Sequence, residues 1–278
     1  MPEVRSDTLQ VPGARLYFEV RGSGPILLLI AGGAGDAGSF GSMADFLADR
    51  YSVVTYDRRG YWRSPAVDPP EPITIATHGD DSHYLLEKLG RTGAYVLGCS
   101  IGAIIGLDLA IRHPEQVQTL VAHEPPVGRL LEESERSGTR LLELYHREGG
   151  AAAIRDFAAS IGVQPQGGAM NIGLPSESAR IAAYNRESFF RHDAPAVACY
   201  TLDVEGLEAA SCRVVIAGGR DGREFFPYRC AERLAARLGK PIVEFPGHHS
   251  GFVNAPREFA ATLQEVLNVP NDSLEPRP

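Results

Sequence analysis

A serine set between two glycines is the clearest candidate for chemistry in this chain. The pentapeptide GCSIG at residues 98–102 follows an apolar segment, AYVL, and precedes a second one, AIIGLDLAIRH. A G-x-S-x-G pattern between a strand and a helix is typical of a serine nucleophile, because small residues two positions away leave room for a strained backbone at the serine. The start of the following helix directs backbone N–H groups toward an oxyanion. The pattern therefore predicts nucleophilic catalysis by Ser100, and the alternative is a strand-to-helix turn that contains a serine by chance.

Two adjacent histidines are candidates for the general base. His248 and His249 lie in a glycine-rich segment, PGHHSGF, directly after the apolar segment PIVEF. Histidine suits proton transfer from a serine because its unperturbed pKa, about 6.5, lies near neutral pH. The sequence therefore offers a base close to the end of a predicted strand.

Two carboxylates could orient that base. Asp221 lies in the turn GGRDG after the segment RVVIAG, and Glu124 follows the segment VQTLVAH. A carboxylate beside the histidine would orient the ring and stabilise its protonated form. Aspartate in a glycine-rich turn also has an ordinary role, since its side chain bonds the local backbone. Both residues therefore stay open as candidates at this point.

The segments that carry these residues alternate with helical patterns. An opening hairpin is predicted over 8–11 and 15–21, and six short apolar strands begin at Ile26, Tyr51, Ala94, Val117, Arg213 and Pro241. Continuous apolar strands are expected where helices cover both faces of a parallel sheet. Apolar residues at spacings of three and four predict helices over 39–50, 73–89, 101–113, 223–238 and 256–267. Such alternation predicts a doubly wound α/β sheet with active groups at the carboxyl ends of its strands.

One long stretch interrupts this alternation. Residues 125–211 contain helical patterns and no strand pattern. We therefore expect a core formed by residues 1–124 and 212–268, with residues 125–211 as a helical cap inserted over the sheet. The polar, proline-rich residues 269–278 are expected to form a flexible tail.

Together these motifs resemble the α/β-hydrolase fold superfamily, in its serine-nucleophile, esterase- and lipase-like branch, over nearly the whole chain. The resemblance implies a mostly parallel eight-stranded sheet with helices on both faces, and a Ser, Asp or Glu, His order of catalytic residues. The family loop P-G-x-H-x-G places the base at His249 and leaves His248 as a neighbour in the pocket. The family's acid turn matches Asp221, while Glu124 is the alternative because some relatives use that strand end.

The resemblance also implies an oxyanion hole and a substrate pocket. The segment AGGAGD at 31–36 lies where relatives carry an H-G motif, so the donors would be the backbone N–H groups of Gly33 and Ile101, although Ala31 replaces the histidine. The segment DRRGYWRS at 57–64 is similar to the family's D-x-R-G-x-G-x-S turn. Trp62 departs from that pattern and is a candidate for the substrate entrance. Phe189 and Phe190 of the insertion are candidates for an apolar lid over the pocket.

Composition excludes several classes of partner. The net charge is −8 with scattered basic residues, which argues against binding nucleic acid or anionic membranes. Four cysteines without a C-x-x-C pair argue against a zinc site or a disulfide framework. No phosphate-binding glycine motif is matched, so we expect neither a cofactor nor a metal. The N-terminus lacks an apolar signal region, and no apolar run could span a bilayer, so a cytoplasmic location is expected.

These observations predict a serine hydrolase that cleaves a carboxylic ester or related acyl bond of a small, largely apolar molecule through an acyl-enzyme. The alternative keeps the same three residues for C–C bond hydrolysis, lactone opening, perhydrolysis or acyl transfer. A ligand-binding protein without turnover is the third hypothesis.

Overall fold

The protein is built around one mixed sheet. The computed structural model describes residues 2–66, 72–90, 93–131, 138–161 and 177–269. These residues form an eight-stranded sheet in the order β1-β2-β4-β3-β5-β6-β7-β8. Its strands are β1 (Val4–Val11), β2 (Ala14–Arg21), β3 (Ile26–Ile30), β4 (Ser52–Tyr56), β5 (Ala94–Cys99), β6 (Val117–His123), β7 (Arg213–Gly219) and β8 (Ile242–Phe245).

The sheet is parallel from β3 to β8, and β2 is its one antiparallel strand among the described residues. Strand β2 pairs antiparallel with β1 and β4, whereas β3 to β8 pair parallel. All five residues of β3 are buried, as expected for a strand covered on both faces. The predicted α/β fold, mostly parallel and eight-stranded with helices on both faces, is confirmed.

The helices of the described residues lie on two faces of the sheet or between β6 and β7. They are α1 (Gly41–Leu47), α2 (Ile75–Lys88), α3 (Ile101–Arg112), α4 (Gly138–Glu148), α5 (Gly150–Ser160), α6 (Glu177–Ser188), α7 (Ala194–Cys199), α8 (Val204–Ala209), α9 (Phe226–Arg237), α10 (Gly251–Asn254) and α11 (Pro256–Leu267). One core cluster joins a sheet face to α2, α3 and α9, and a second joins the opposite face to α1 and α11.

Two elements differ from the sequence-based expectation. Strand β1 begins at Val4 rather than near residue 8. The sequence pattern did not indicate this earlier start, because the first five side chains of the strand are exposed and show no apolar alternation. The single helix expected over 39–50 is a 3₁₀ turn, Ala37–Phe40, followed by the shorter α1. Asp36 caps the 3₁₀ turn by accepting a hydrogen bond from the Gly38 N–H, which starts the helical segment earlier than the apolar pattern indicated.

The described residues between β6 and β7 are helical, and α4 to α8 are called here the β6–β7 helices. A π-helical turn, Phe189–Asp193, lies between α6 and α7. Parts of the expected cap (132–137 and 162–176) and the tail residues 270–278 lie outside the described residues. The division into core and cap thus stays a prediction. Within the described ranges, no helix combines the length and the apolar character needed to cross a bilayer.

Removing a buried valine from the sheet should destabilise the fold. Val54 is fully buried in β4, whereas Val4 of β1 is 47% exposed. Val54→Ala should lower the free energy of unfolding by about 2 kcal/mol, from lost burial plus the cavity it leaves. Val4→Ala is the matched control and should change it by less than about 0.5 kcal/mol. Urea denaturation measures both, and equal losses would contradict the burial described here.

Candidate active site

Ser100 occupies a strained position at the end of the central strand β5. The strand ends at Cys99 and α3 begins at Ile101, so Ser100 is the single residue between them. Its φ and ψ are 57° and −124°, a region that residues other than glycine rarely adopt. The Ser100 N–H donates to the carbonyl oxygen of His123 at 2.9 Å, which continues the pairing of β5 with β6. The sharp turn is thus held by the sheet itself.

Glycines allow three chain segments to meet at this turn. A Cβ atom on Gly98 would lie 2.2 Å from the Gly102 carbonyl oxygen, and one on Gly102 would lie 2.1 Å from the Ile30 oxygen. A Cβ atom on Gly32 would lie 2.8 Å from the Cβ of Ser100. Each distance is too short for a real contact, so glycine is required at these positions. The loop after β3 therefore packs directly against the candidate nucleophile.

His249 and Glu124 form a buried hydrogen-bonded pair. His249 Nδ1 lies 2.5 Å from Glu124 Oε2, and Glu124 Oε1 accepts a hydrogen bond from the Gly219 N–H at 2.8 Å. Both oxygens of the carboxylate are thus occupied. Glu124 follows the last residue of β6 and has a positive φ of 50°, which few glutamates adopt.

The hydrogen bonds keep this carboxylate charged. Burial alone would raise the pKa of Glu124, but the hydrogen bond from His249, the neighbouring His123 and the Gly219 N–H together hold the pKa below its ordinary value. An ionised carboxylate on Nδ1 fixes the histidine ring so that Nε2 is the nitrogen free for proton transfer. This pair can therefore act as an oriented base.

The acid position differs from the sequence-based prediction of Asp221. Asp221 is exposed in a 3₁₀ turn, its backbone N–H donates to the Gly247 carbonyl at 3.0 Å, and its carboxylate makes no recorded hydrogen bond to His249. The physical reason is that Glu124 already occupies His249 Nδ1. The carboxylate that bonds His249 is thus the alternative candidate, Glu124. Its position after the strand next to β5 was the available signal, whereas its backbone conformation is invisible in the sequence.

The predicted oxyanion donors lie beside Ser100. Gly33 has a φ of 44°, in the loop that packs on the Ser100 Cβ through Gly32, and Ile101 is the first residue of α3. Within the described residues, neither the Gly33 N–H nor the Ile101 N–H donates a recorded hydrogen bond. Both groups are thus available to a ligand atom.

An apolar cavity of about 310 Å³ opens onto Ser100. Its wall combines residues of α3, the segment after β6 and the β6–β7 helices, among them Ile104, Val127, Leu141, Phe157, Phe189 and Val197. The Phe157 ring centroid is 6.5 Å from that of His249, which brings the histidine next to the cavity wall. The cavity can therefore hold an apolar group beside the serine and the histidine.

The four predicted pocket residues are placed differently from one another. Phe189 lines the cavity, and Phe190 is buried behind it with ring centroids 5.2 Å apart. Trp62 is 42% exposed, packs on Tyr184 and does not contribute to the cavity wall. His248 is also absent from the wall, and its ring nitrogens lie 3.3 Å from the Ser250 N and 3.2 Å from Asn254 Nδ2. Phe189 is thus the one of the four that touches the cavity.

Two arrangements are not formed among the described residues of this site. In the described part of the chain, no group of three or more His, Cys, Asp or Glu side chains is arranged to hold a metal ion. No hydrogen bond between the Ser100 hydroxyl and the His249 ring is recorded there. Catalytic hydrogen bonds are often long without substrate and shorten in the reacting complex.

Comparison with known proteins shows the family. The model of the α/β-hydrolase fold family matches residues 25–252. The chain is 40% identical to the uncharacterized hydrolase YraK of Bacillus subtilis (strain 168) over 269 residues, which covers 95% of this chain and 96% of that one. The chain therefore belongs to the α/β-hydrolase fold family and is a hydrolase.

Two esterases of known structure share the fold. An esterase from Exiguobacterium antarcticum superposes with a TM-score of 0.76 at 19% identity, over 95% of this chain and all of that one. A thermophilic esterase from Thermogutta terrifontis gives a TM-score of 0.73 at 21% identity, over 95% and 98% of the two chains. At these identities, the likeness extends to the fold alone.

Adding one methyl group at the turn should destabilise the fold. Gly102→Ala places a Cβ against the Ile30 carbonyl, whereas Gly41→Ala, in α1, meets no atom within 4 Å. We expect Gly102→Ala to lower the free energy of unfolding by at least about 2 kcal/mol, because backbone must move. Gly41→Ala is the control and should be neutral or stabilising. Thermal unfolding followed by circular dichroism measures both, and a stable Gly102→Ala would contradict the close approach.

Proposed function

We propose that the protein is a serine hydrolase that cleaves a carboxylic ester or related acyl bond of a small, largely apolar molecule. One observation carries the proposal: the strained Ser100 lies at the end of β5, and a buried pair formed by Glu124 after β6 and His249 after β8 lies beside the same apolar cavity. In this proposal Ser100 is the nucleophile, His249 the base and Glu124 the acid. The named activities of the two esterases with this fold agree with it.

The proposed reaction has two halves. Ser100 Oγ attacks the substrate carbonyl carbon while its proton passes to His249 Nε2, and the carbonyl π electrons move onto oxygen. Collapse of this tetrahedral intermediate expels the alcohol, which leaves with the proton from His249. Water then attacks the acyl-enzyme and gives up its proton to His249. The second tetrahedral intermediate releases the carboxylic acid as His249 returns that proton to Ser100 Oγ.

The surrounding charges support each step. The negative charge of Glu124 stabilises the imidazolium that forms on His249. The backbone N–H groups of Gly33 and Ile101 would donate to the oxyanion, and the positive end of α3 adds to that stabilisation. The apolar cavity would hold the acyl group and exclude water from it.

Kinetics of point variants test the roles of the three residues. The assay is release of p-nitrophenol from acetate, butyrate and octanoate esters. Ser100→Ala, His249→Ala and Glu124→Gln should each lower kcat/KM on the order of 10³-fold or more, since each breaks the proton relay. Asp221→Asn is the matched control for Glu124→Gln and should stay within about threefold of wild type, because Asp221 is exposed.

The outcomes separate the alternatives. Thermal unfolding of every variant confirms that a lost rate is not lost folding. A large fall in kcat/KM for Asp221→Asn, together with a nearly normal kcat/KM for Glu124→Gln, would assign the acid role to Asp221. A wild-type protein that neither turns over these esters nor reacts with a fluorophosphonate would contradict the serine-hydrolase proposal.

The cavity should set the acyl preference. Val197 lines the cavity in α7, and Val197→Phe should shrink it so that kcat/KM for octanoate falls about tenfold more than that for acetate. Val4→Phe, on the exposed edge strand, is the matched control and should leave the ratio unchanged. An equal fall in kcat/KM for the octanoate and acetate esters would mean that the acyl group binds outside this cavity.

A further inference from the structure

A second buried cluster, not used in the mechanism above, lies behind the loop after β3, residues 31–36, called here the oxyanion loop. Arg58, Tyr61, His78 and Asp193, called here the Asp193 cluster, are each at most 1% exposed. Asp193 Oδ2 accepts hydrogen bonds from Arg58 Nε at 3.1 Å and Arg58 Nη2 at 2.9 Å, and it lies 2.7 Å from the Tyr61 hydroxyl. Its other oxygen lies 2.9 Å from His78 Nε2. One carboxylate from the β6–β7 helices thus joins three groups of the α/β core.

The cluster reaches the backbone beside Ser100. The Arg58 guanidinium donates to the carbonyl oxygens of Ala31 and Gly33, and the Tyr61 hydroxyl is placed to donate to the Gly33 oxygen, at 2.9 Å. These carbonyls belong to the loop whose Gly32 packs on the Ser100 Cβ. Arg58 thus links Asp193 directly to the Gly33 peptide, and the Tyr61 hydroxyl, which has one proton, contacts both Asp193 and the Gly33 oxygen.

Charge balance makes Asp193 necessary to this arrangement. A guanidinium buried without a counter-charge is costly, and among the described residues Asp193 is the carboxylate that bonds Arg58. Burial alone would raise the pKa of Asp193, but Arg58, His78 and Tyr61 lower it to about 2, so the carboxylate is ionised at neutral pH. Neutralising Asp193 would leave Arg58 with uncharged partners, the Ala31 and Gly33 carbonyl oxygens and the Tyr61 hydroxyl.

Asp193 is also tied to the cavity. It ends the π-helical turn Phe189–Asp193, and both Phe189 and the following Ala194 line the cavity. Single π-helical turns in proteins occur frequently at functional sites. Two further contacts, from Ser188 Oγ to the Gly60 carbonyl at 2.6 Å and from the Trp62 N–H to Asn185 Oδ1 at 3.1 Å, hold the same helices against the loop that carries Arg58.

We propose that Asp193 is a positioning residue for the oxyanion loop, acting through Arg58 and Tyr61 on the Gly33 peptide. This inference rests on the proposed function, because it concerns the alignment of the Gly33 N–H with the developing oxyanion. The β6–β7 helices then do more than enclose the acyl group: they complete the catalytic alignment of the core.

The effect should appear in the chemical step and not in substrate binding. An oxyanion donor gains its full hydrogen bond in the transition state, so a displaced Gly33 N–H lowers kcat while KM stays nearly unchanged. We expect Asp193→Asn to lower kcat about 10- to 100-fold. Tyr61→Phe removes one hydroxyl from the same cluster and should lower kcat in the same manner, by less.

The chain supplies a matched control in the neighbouring residue. Arg59 donates to Asp81 through Nε at 2.7 Å and through Nη2, and Asp81 is fully buried in α2. Asp81→Asn therefore also neutralises a buried carboxylate bound to an arginine of the same loop. Among the described residues, neither Arg59 nor Asp81 bonds the Ala31 or Gly33 carbonyl oxygen. The kcat of Asp81→Asn should therefore stay within about threefold of wild type.

The experiment compares wild type, Asp193→Asn, Tyr61→Phe and Asp81→Asn by ester kinetics, by thermal unfolding and by inhibition with an alkyl boronic acid, whose serine adduct places an oxygen in the oxyanion position. The expected result is a fall in kcat with a parallel rise in boronate Ki for the two cluster variants. KM should stay within about threefold of wild type, and Asp81→Asn should lose stability without these changes.

Other outcomes overturn the inference. These are an unchanged kcat in both cluster variants, a loss confined to KM, or an equal loss of kcat in Asp81→Asn. If Asp193→Asn does not fold, Tyr61→Phe decides the matter alone. If the wild-type protein does not react with a fluorophosphonate, the proposed function itself is wrong. If the wild type reacts but Asp193→Asn and Tyr61→Phe leave kcat unchanged, only the role of Asp193 is wrong.

Discussion

The site depends on a backbone constraint at Ser100. A serine with positive φ can persist only where its surroundings hold it, because this conformation costs on the order of 1–3 kcal/mol. Here the N–H of Ser100 is bonded to β6, and Gly32, Gly98 and Gly102 allow the neighbouring backbones to approach without Cβ atoms. The central sheet, buried on both faces, holds these approaching segments in place. The sheet thus provides the rigidity that keeps the strained Ser100, the proposed nucleophile, in position.

Strain is concentrated at the candidate site. Among the described residues other than glycine, only Ser100 and Glu124 have a positive φ. The two residues follow directly after adjacent parallel strands, β5 and β6, so the sheet register brings both to one edge. Glu124 then connects that edge to the loops after β7 and β8 through Gly219 and His249. The hydrogen bonds that satisfy the buried carboxylate are the same ones that orient the proposed base.

The sequence predicted the parts of this structure that local patterns determine. Continuous apolar strands specified the sheet, and the glycines around Ser100 specified the turn, since both follow from neighbours along the chain. The acid could not be chosen in this way. Asp221 and Glu124 both follow strands, and only the backbone conformation of Glu124 and its reach to His249 distinguish them. The Asp193 cluster was beyond prediction for a related reason, since it joins residues up to 135 positions apart.

The proposed mechanism requires that Ser100 form a covalent intermediate. The decisive measurement is peptide mapping by mass spectrometry after reaction of the folded protein with a fluorophosphonate, with heat-unfolded protein as control. The account predicts one phosphonyl group per chain, located on Ser100 and absent from the unfolded protein, because only the folded turn activates this hydroxyl. A folded protein that stays unmodified, or that carries the group on another residue while Ser100 is untouched, would contradict it.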